Sequence, residues 1–262
     1  MSLAAPVDLL ASPFVQGRTT RVRDHRPWPM PRRPWVMAQT WMDLLFAHWE
    51  VDPEALERVV PEQLPLDTWD GRAWIGVTPF AVRNLRPRLT LPVPYLSSFP
   101  EINVRTYVTV DGKPGIYFFS LDADSRLAVA AARRAYRVPY LRARMEICRR
   151  GGEIAYASER IGGGATPPAA FRGSYSPAGD VFNAEPGTLE YWLAERYCLY
   201  TLDDGARVLR GEIHHPPWPL QPAAADIQLN TMANEIGLDL PEQPLLHYAR
   251  RQDVVFWTLQ PA

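Results

Sequence analysis

Residues 101–144 read EINVRTYVTVDGKPGIYFFSLDADSRLAVAAARRAYRVPYLRAR, and the succession of signals in them decides the kind of fold: strand, tight turn, strand, helix, proline stop, strand. Side chains on a strand repeat with period two. Ile102, Val104, Thr106 and Val108 therefore face one way, and Glu101, Asn103, Arg105 and Tyr107 the other. A row of carboxylate, amide, guanidinium and phenol is an unusual face in so apolar a region. It meets either water or the inside of a polar cavity, and alternation alone leaves both open. The Asp111–Gly115 stretch closes the hairpin, SRLAVAAARRAYR is helical by its alanines and arginines, and Pro139 ends that helix.

Upstream, residues 1–34 are rich in proline and arginine and predict an extended arm. The apolar, aromatic run Trp35–Val51 predicts a buried strand. Asp52-Pro53-Glu54 starts a short helix, and Asp70-Gly71 centres a hairpin over 65–82. Residues 84–100, with their prolines and serines, predict a long loop. Downstream come strands over 140–148, IAYASERI and FRGSYS, and a helix LEYWLAERY. A second hairpin turns at Asp203-Asp204-Gly205, the alanine-rich segment from Ala223 to about Gly237 predicts a helix, and Val254–Leu259 gives a final strand. With hairpins recurring and neither a βαβ rhythm nor a glycine-rich phosphate loop, the class is α+β. It is mainly antiparallel β, with a closed or strongly curled sheet and a few short helices. One domain is expected over 35–262, beyond the arm.

Composition narrows the function. Of 262 residues 47% are hydrophobic and the formal net charge is −1, so no electrostatic pull toward nucleic acid or an acidic membrane is expected. Among 28 Lys and Arg only Lys113 is a lysine, so side-chain amine chemistry rests on that one residue. Cys148 and Cys198 make neither a disulfide framework nor a zinc site and are expected to pack as small hydrophobes. MSLAAPVDLL lacks the features of a signal peptide, and no run is long enough to span a membrane. A cytoplasmic protein is expected; a homo-oligomer stays open. His214-His215 has no third ligand at metal spacing, so no metal is expected.

The stretches LLFAHWEV with LERVVPEQLPLD, EINVRTYV with GKPGIYFFSLDA, RRAYRVPY, GTLEYWLAERYCLY and HHPPWPL resemble the YqjF-like family of uncharacterised bacterial proteins, from about Trp35 to Trp257. The resemblance implies a fold similar to acetoacetate decarboxylase, a β-rich cone or barrel around a central cavity. In the decarboxylase pattern a strand glutamate reaches the cavity, and a turn after a hairpin and helix carries the Schiff-base lysine. Glu101 looks like that glutamate, and Val138-Pro139-Tyr140-Leu141 looks like the turn, with Tyr140 standing where the lysine would be. Schiff-base decarboxylation is therefore not expected. If the polar face is inside, Glu101 is a candidate acid or base, Arg105 a candidate carboxylate clamp and Tyr140 a candidate proton donor. Asn103, Tyr107, Arg133, His214 and Trp218 are candidate ligand contacts. An enzyme of lyase, hydratase or isomerase type on an oxo- or carboxylic acid, needing no cofactor, stands beside a non-catalytic small-ligand-binding protein using the same cavity.

Overall fold

The computed structural model describes residues 6–94, 96–161, 168–238, 240 and 243–262. Strand β1 (Met37–Val51) carries the apolar run after the arm. Helix α2 (Pro53–Glu57) follows, with the Asp52 carboxylate accepting from the Glu54 amide as N-cap. Asp70 and Gly71 both have positive φ, as a type I′ turn needs, and β2 (Ala73–Pro87) leaves it. The residues before that turn make only isolated bridges, Leu66 to Val108 and Trp69 to Arg72. Strand β3 (Phe99–Val110) and β4 (Lys113–Ala123) form the central hairpin on a two-residue turn, Asp111 and Gly112 at φ 51° and 71°. The expected loop over 84–100 is therefore shorter, because pairing continues to Pro87 and resumes at Phe99.

Helix α3 (Arg126–Tyr136) leads into β5 (Tyr140–Arg150), which returns beside β4 in parallel over three residues. One βαβ turn thus sits in an otherwise largely antiparallel sheet. Strands β6 (Glu153–Arg160) and β7 (Ala170–Pro177), helix α4 (Leu189–Ala194), and strands β8 (Cys198–Leu202) and β9 (Val208–His214) follow. The helix expected over 223–237 is instead strand β10 (Leu220–Asn230), with a single 3-10 turn after it. Its alanines favour helix locally, but β11 (Leu245–Phe256) and β7 offer it pairing partners along its length, and tertiary pairing overrides propensity. Strand β12 (Gln260–Pro261) ends the chain.

The sheet closes twice. Strands β4-β3-β2-β1-β11 form a shared wall. Through β9 and β8 they close a ring of seven strands, and through β10, β7, β6 and β5 a ring of nine. Each face of β3 therefore looks into a different ring, which is why both faces are buried. Ile102, Val104 and Val108 join Ala143, Met145, Tyr156 and Phe171 in a continuous apolar core that fills the nine-stranded ring. The opposite face of β3 looks into the seven-stranded ring.

The arm is not extended throughout. Residues Pro6–Arg18 form helix α1, with Pro13 inside it. The clustered prolines of 27–34 do forbid regular structure, as expected. Gln16 docks the helix, donating to Thr40 Oγ1 and the Asn84 carbonyl and accepting from Arg86. Cys198 is buried, whereas Cys148 is exposed, because it lies where β5 runs out toward its β6 turn.

Candidate functional site

A cavity of about 180 Å³ opens inside the seven-stranded ring. That is far above the ~15 Å³ one water needs, so it has room for a small organic guest. Its walls follow period two along each strand: Thr78 and Phe80 on β2, Glu101, Asn103 and Arg105 on β3, Ile116 and Phe118 on β4. A register shift in the β3–β4 pairing, between Val104 and Arg105, changes the phase of β4, so that Leu121 also points in. Glu101, Asn103 and Arg105 are at most 6% exposed, which answers the choice between water and cavity in favour of the cavity.

Glu101 is held from both rings. Tyr156, on β6, reaches across the wall to donate to the Glu101 carbonyl at 2.7 Å. On the cavity side the Tyr140 hydroxyl donates to Glu101 Oε2 at 2.9 Å. Burial pushes the Glu101 carboxyl up to about 8; the Tyr140 hydrogen bond pulls against this, and Asp122 behind the strand adds to it. Tyr140 is itself pushed well above its ordinary value, first by burial and then by the negative charge of Glu101. Tyr140 is placed by the end of α3, where Arg137 in a left-handed conformation and Pro139 turn the chain into β5. Arg133 donates from outside to the Tyr140 carbonyl at 2.5 Å.

Arg105 lies 5.1 Å from the Phe46 ring centroid and makes only a long contact, 3.5 Å, to the Tyr107 hydroxyl. Its Nε has no hydrogen-bond partner, and among the described residues no carboxylate lies within ion-pair distance of it. Gly76 leaves room for it: a Cβ there would meet His48 at 3.0 Å and Arg105 Cγ at 3.3 Å. A second guanidinium, Arg196, lines the same cavity from the turn between α4 and β8. His215, also on the wall, has its ring nitrogens against the Pro216 and Arg196 carbonyls, and burial pushes it down to about 4. It is therefore neutral at pH 7.

The structure brings Glu101, Asn103, Arg105, Tyr140 and Trp218 to one cavity and places three other candidates elsewhere. Tyr107 shares the β3 face but lies past the cavity's end, under Trp192 of α4, with its hydroxyl bonded to His48 Nε2 at 2.7 Å. His214 faces the arm, bonded to the Thr19 carbonyl; its neighbour His215 faces the cavity, because adjacent strand residues point opposite ways. Arg133 is exposed on α3 and lines no part of the cavity. Arg196 is a cavity residue that the alternation of β3 does not point to. A charged Glu-Arg dipeptide inside the apolar run YWLAERYCLY was the available signal that it is buried. Among the described residues no three His, Cys, Asp or Glu stand together at metal-holding spacing, and no helix is long and apolar enough to cross a membrane.

The model of DUF2071, a family described as an uncharacterized conserved protein, matches residues 38–253. The chain belongs to the DUF2071 family. It is 50% identical over 232 residues to "Uncharacterized protein YqjF" of Bacillus subtilis, covering 88% of this chain and 94% of that one. The DUF2071 fold seen here is that of acetoacetate decarboxylase-like proteins. An acetoacetate decarboxylase-like enzyme from Sphingomonas wittichii superimposes with a TM-score of 0.58 at 13% identity, covering 92% of this chain and 99% of that one. The acetoacetate decarboxylase of Legionella pneumophila does so at 0.56 and 12%, covering 91% and 93%. The enduracididine biosynthesis enzyme MppR complexed with pyruvate gives 0.61 at 11%, covering 91% and 93%.

Proposed function

We propose that this DUF2071 cavity is the active site of a cofactor-independent lyase, hydratase or isomerase that works on an oxo- or carboxylic acid. The observation that carries the reading is the Tyr140–Glu101 pair: a buried carboxyl near pKa 8, hydrogen-bonded to a phenol, on the wall of a cavity that also holds Arg105. A buried cation with no internal counter-charge is costly, and an acid substrate supplies that charge. Arg105 then clamps the substrate carboxylate. Glu101, as carboxylate, takes a proton from the carbon beside the oxo group, the electron pair moves onto the oxo oxygen, and Tyr140 hydrogen-bonds the charge that builds there. Lys113, the chain's only lysine, pairs with Val110 at the β-turn and is not on the cavity wall, so no Schiff base is invoked. The likeness to a protein crystallised with pyruvate is in keeping with this substrate class.

The test is proton NMR in heavy water with a panel of 2-oxo and 3-oxo acids. Solvent deuterium should enter beside the oxo group, with a rate that rises through about pH 8 as Glu101 ionises. Glu101→Gln should slow it by at least about a hundredfold. Arg105→Gln should raise KM more than it lowers kcat. The apolar part of the wall, with Trp41, Phe80, Phe99, Phe118 and Phe256, favours a second reading, a small-ligand-binding protein. Saturable binding with neither exchange nor product for any acid would select it.

A further inference from the structure

Arg196 is more than half of a structural ion pair. Its Nη1 donates to Asp67 at 2.6 Å and its Nε to the Trp192 carbonyl at 2.6 Å, while the guanidinium stands 4.4 Å from the Trp192 ring centroid. Those contacts fix the plane of the group and leave Nη2 buried, without a partner, on a side chain that lines the cavity. Arg105 presents a second unpartnered donor, Nε. The two guanidiniums flank one ring, with their Cζ atoms 5.8 Å and 4.8 Å from the Tyr107 centroid. A third unpartnered donor, Trp218 Nε1, belongs to a residue that lines the same cavity and packs against Phe46, the ring under Arg105. Three buried N–H groups without acceptors thus belong to residues, from three separate segments, that line one cavity. Of the two positive charges, among the described residues only Arg196 has a carboxylate at ion-pair distance, Asp67. Buried donors and charges left in this state cost free energy until an acceptor arrives.

We propose that Arg105 and Arg196, assisted by Trp218 Nε1, form one anion subsite that takes the ligand's carboxylate, with Asp67 as an internal counter-ion that competes for Arg196. The inference rests on the reading of the cavity as an acid site and adds the second cation and its competitor. It makes a prediction of unusual sign. Removing Arg196 weakens acid binding, while removing the charge of its partner strengthens it, because the guanidinium then has no anion but the ligand.

The experiment is calorimetric titration of the full chain with butyrate, pyruvate, 2-oxobutyrate and phenylacetate, each beside its neutral primary amide. Wild type should bind at least one acid about tenfold or more tightly than its amide. Arg196→Gln should remove most of that preference. Asp67→Asn should raise acid affinity several-fold. Weakened acid binding in Arg105→Gln with no change in either Arg196→Gln or Asp67→Asn would overturn the two-arginine subsite and leave the proposed function standing. Failure of every acid to bind wild type, or amides binding as well as acids, would overturn both. If Arg196→Gln does not fold, judged by circular dichroism, Asp67→Asn decides: unchanged or weaker acid affinity refutes the subsite.

Discussion

Glu101 shows how one buried side chain ties stability to pH. Its carboxyl titrates at about 8 in the fold against an ordinary value near 4.5, so between those values the folded state holds more protons than the unfolded state. Stability from this group is therefore fully present below about pH 4.5 and is lost as pH rises toward 8, at ~1.4 kcal/mol per unit at most. His214 and His215, both pushed down to about 4 by burial, act in the opposite window: stability falls as pH drops from about 6.5 to 4. Urea unfolding from pH 5 to 9 should show Glu101→Gln with a flatter alkaline limb than wild type, because the fall in stability that this carboxyl causes between pH 5 and 8 is removed. A parallel alkaline limb in the variant would mean that the carboxyl is not buried as described. At this scale alternation made Glu101, Asn103 and Arg105 legible as one face. It did not reveal that α4 covers Tyr107, or that Arg196 reaches the same space from a segment 91 residues further along the chain.

At the scale of elements, the segment after Leu220 is the instructive one. Three consecutive alanines suggest helix, yet β10 alternates half-buried and exposed positions, the signature of a strand with one covered face. It first pairs with β11 through Pro222 and then with β7 from Ala223, so it carries the chain from the shared wall into the outer part of the nine-stranded ring. The closeness of that second pairing is set by Gly173 on β7. A Cβ there would lie 2.6 Å from the Asp226 carbonyl oxygen and 3.2 Å from Ile227 Cα, both backbone atoms with little freedom to move. Gly173→Ala should therefore destabilise the protein by about 1–3 kcal/mol through overpacking, read as a lower urea midpoint with unchanged slope. Because the strain sits in the filled ring, acid binding by the folded variant should be unaltered.

At the scale of the molecule, two closed rings share a five-stranded wall, one packed solid and the other hollow. The arm secures the hollow ring at one of its two thin seams, where β9 and β11 pair over only two residues, Ile213 with Phe256 and His214 with Val255. Arg26 donates to the Ile213 carbonyl at 2.6 Å and pairs with Glu212 at 2.9 Å, and both side chains are almost fully buried. Trp28 Nε1 adds a bond to the same carboxylate. Removing one partner of a buried pair costs roughly 3–5 kcal/mol when the other charge is left stranded; Glu212 would keep Arg210 at 3.1 Å, so the loss here should fall below that range. Arg26→Met should therefore lower the melting temperature. It should also raise hydrogen exchange at 209–215 and 254–257 before the rest of the sheet. Uniform exchange, or no thermal shift, would mean the arm merely rests on the surface.

Much of this protein could be read without coordinates because the deciding features are local. Period-two alternation, turn dipeptides with left-handed residues and a proline stop need only near neighbours, and they delivered the central hairpin, the helix after it and the polar face of β3. What coordinates alone decided is which surfaces meet. Ring closure through β9 and β5, the strand state of an alanine-rich segment, and the meeting of Arg105 with Arg196 all depend on contacts between residues far apart in sequence. No local propensity encodes such contacts, since their free energy appears only when the whole sheet has closed.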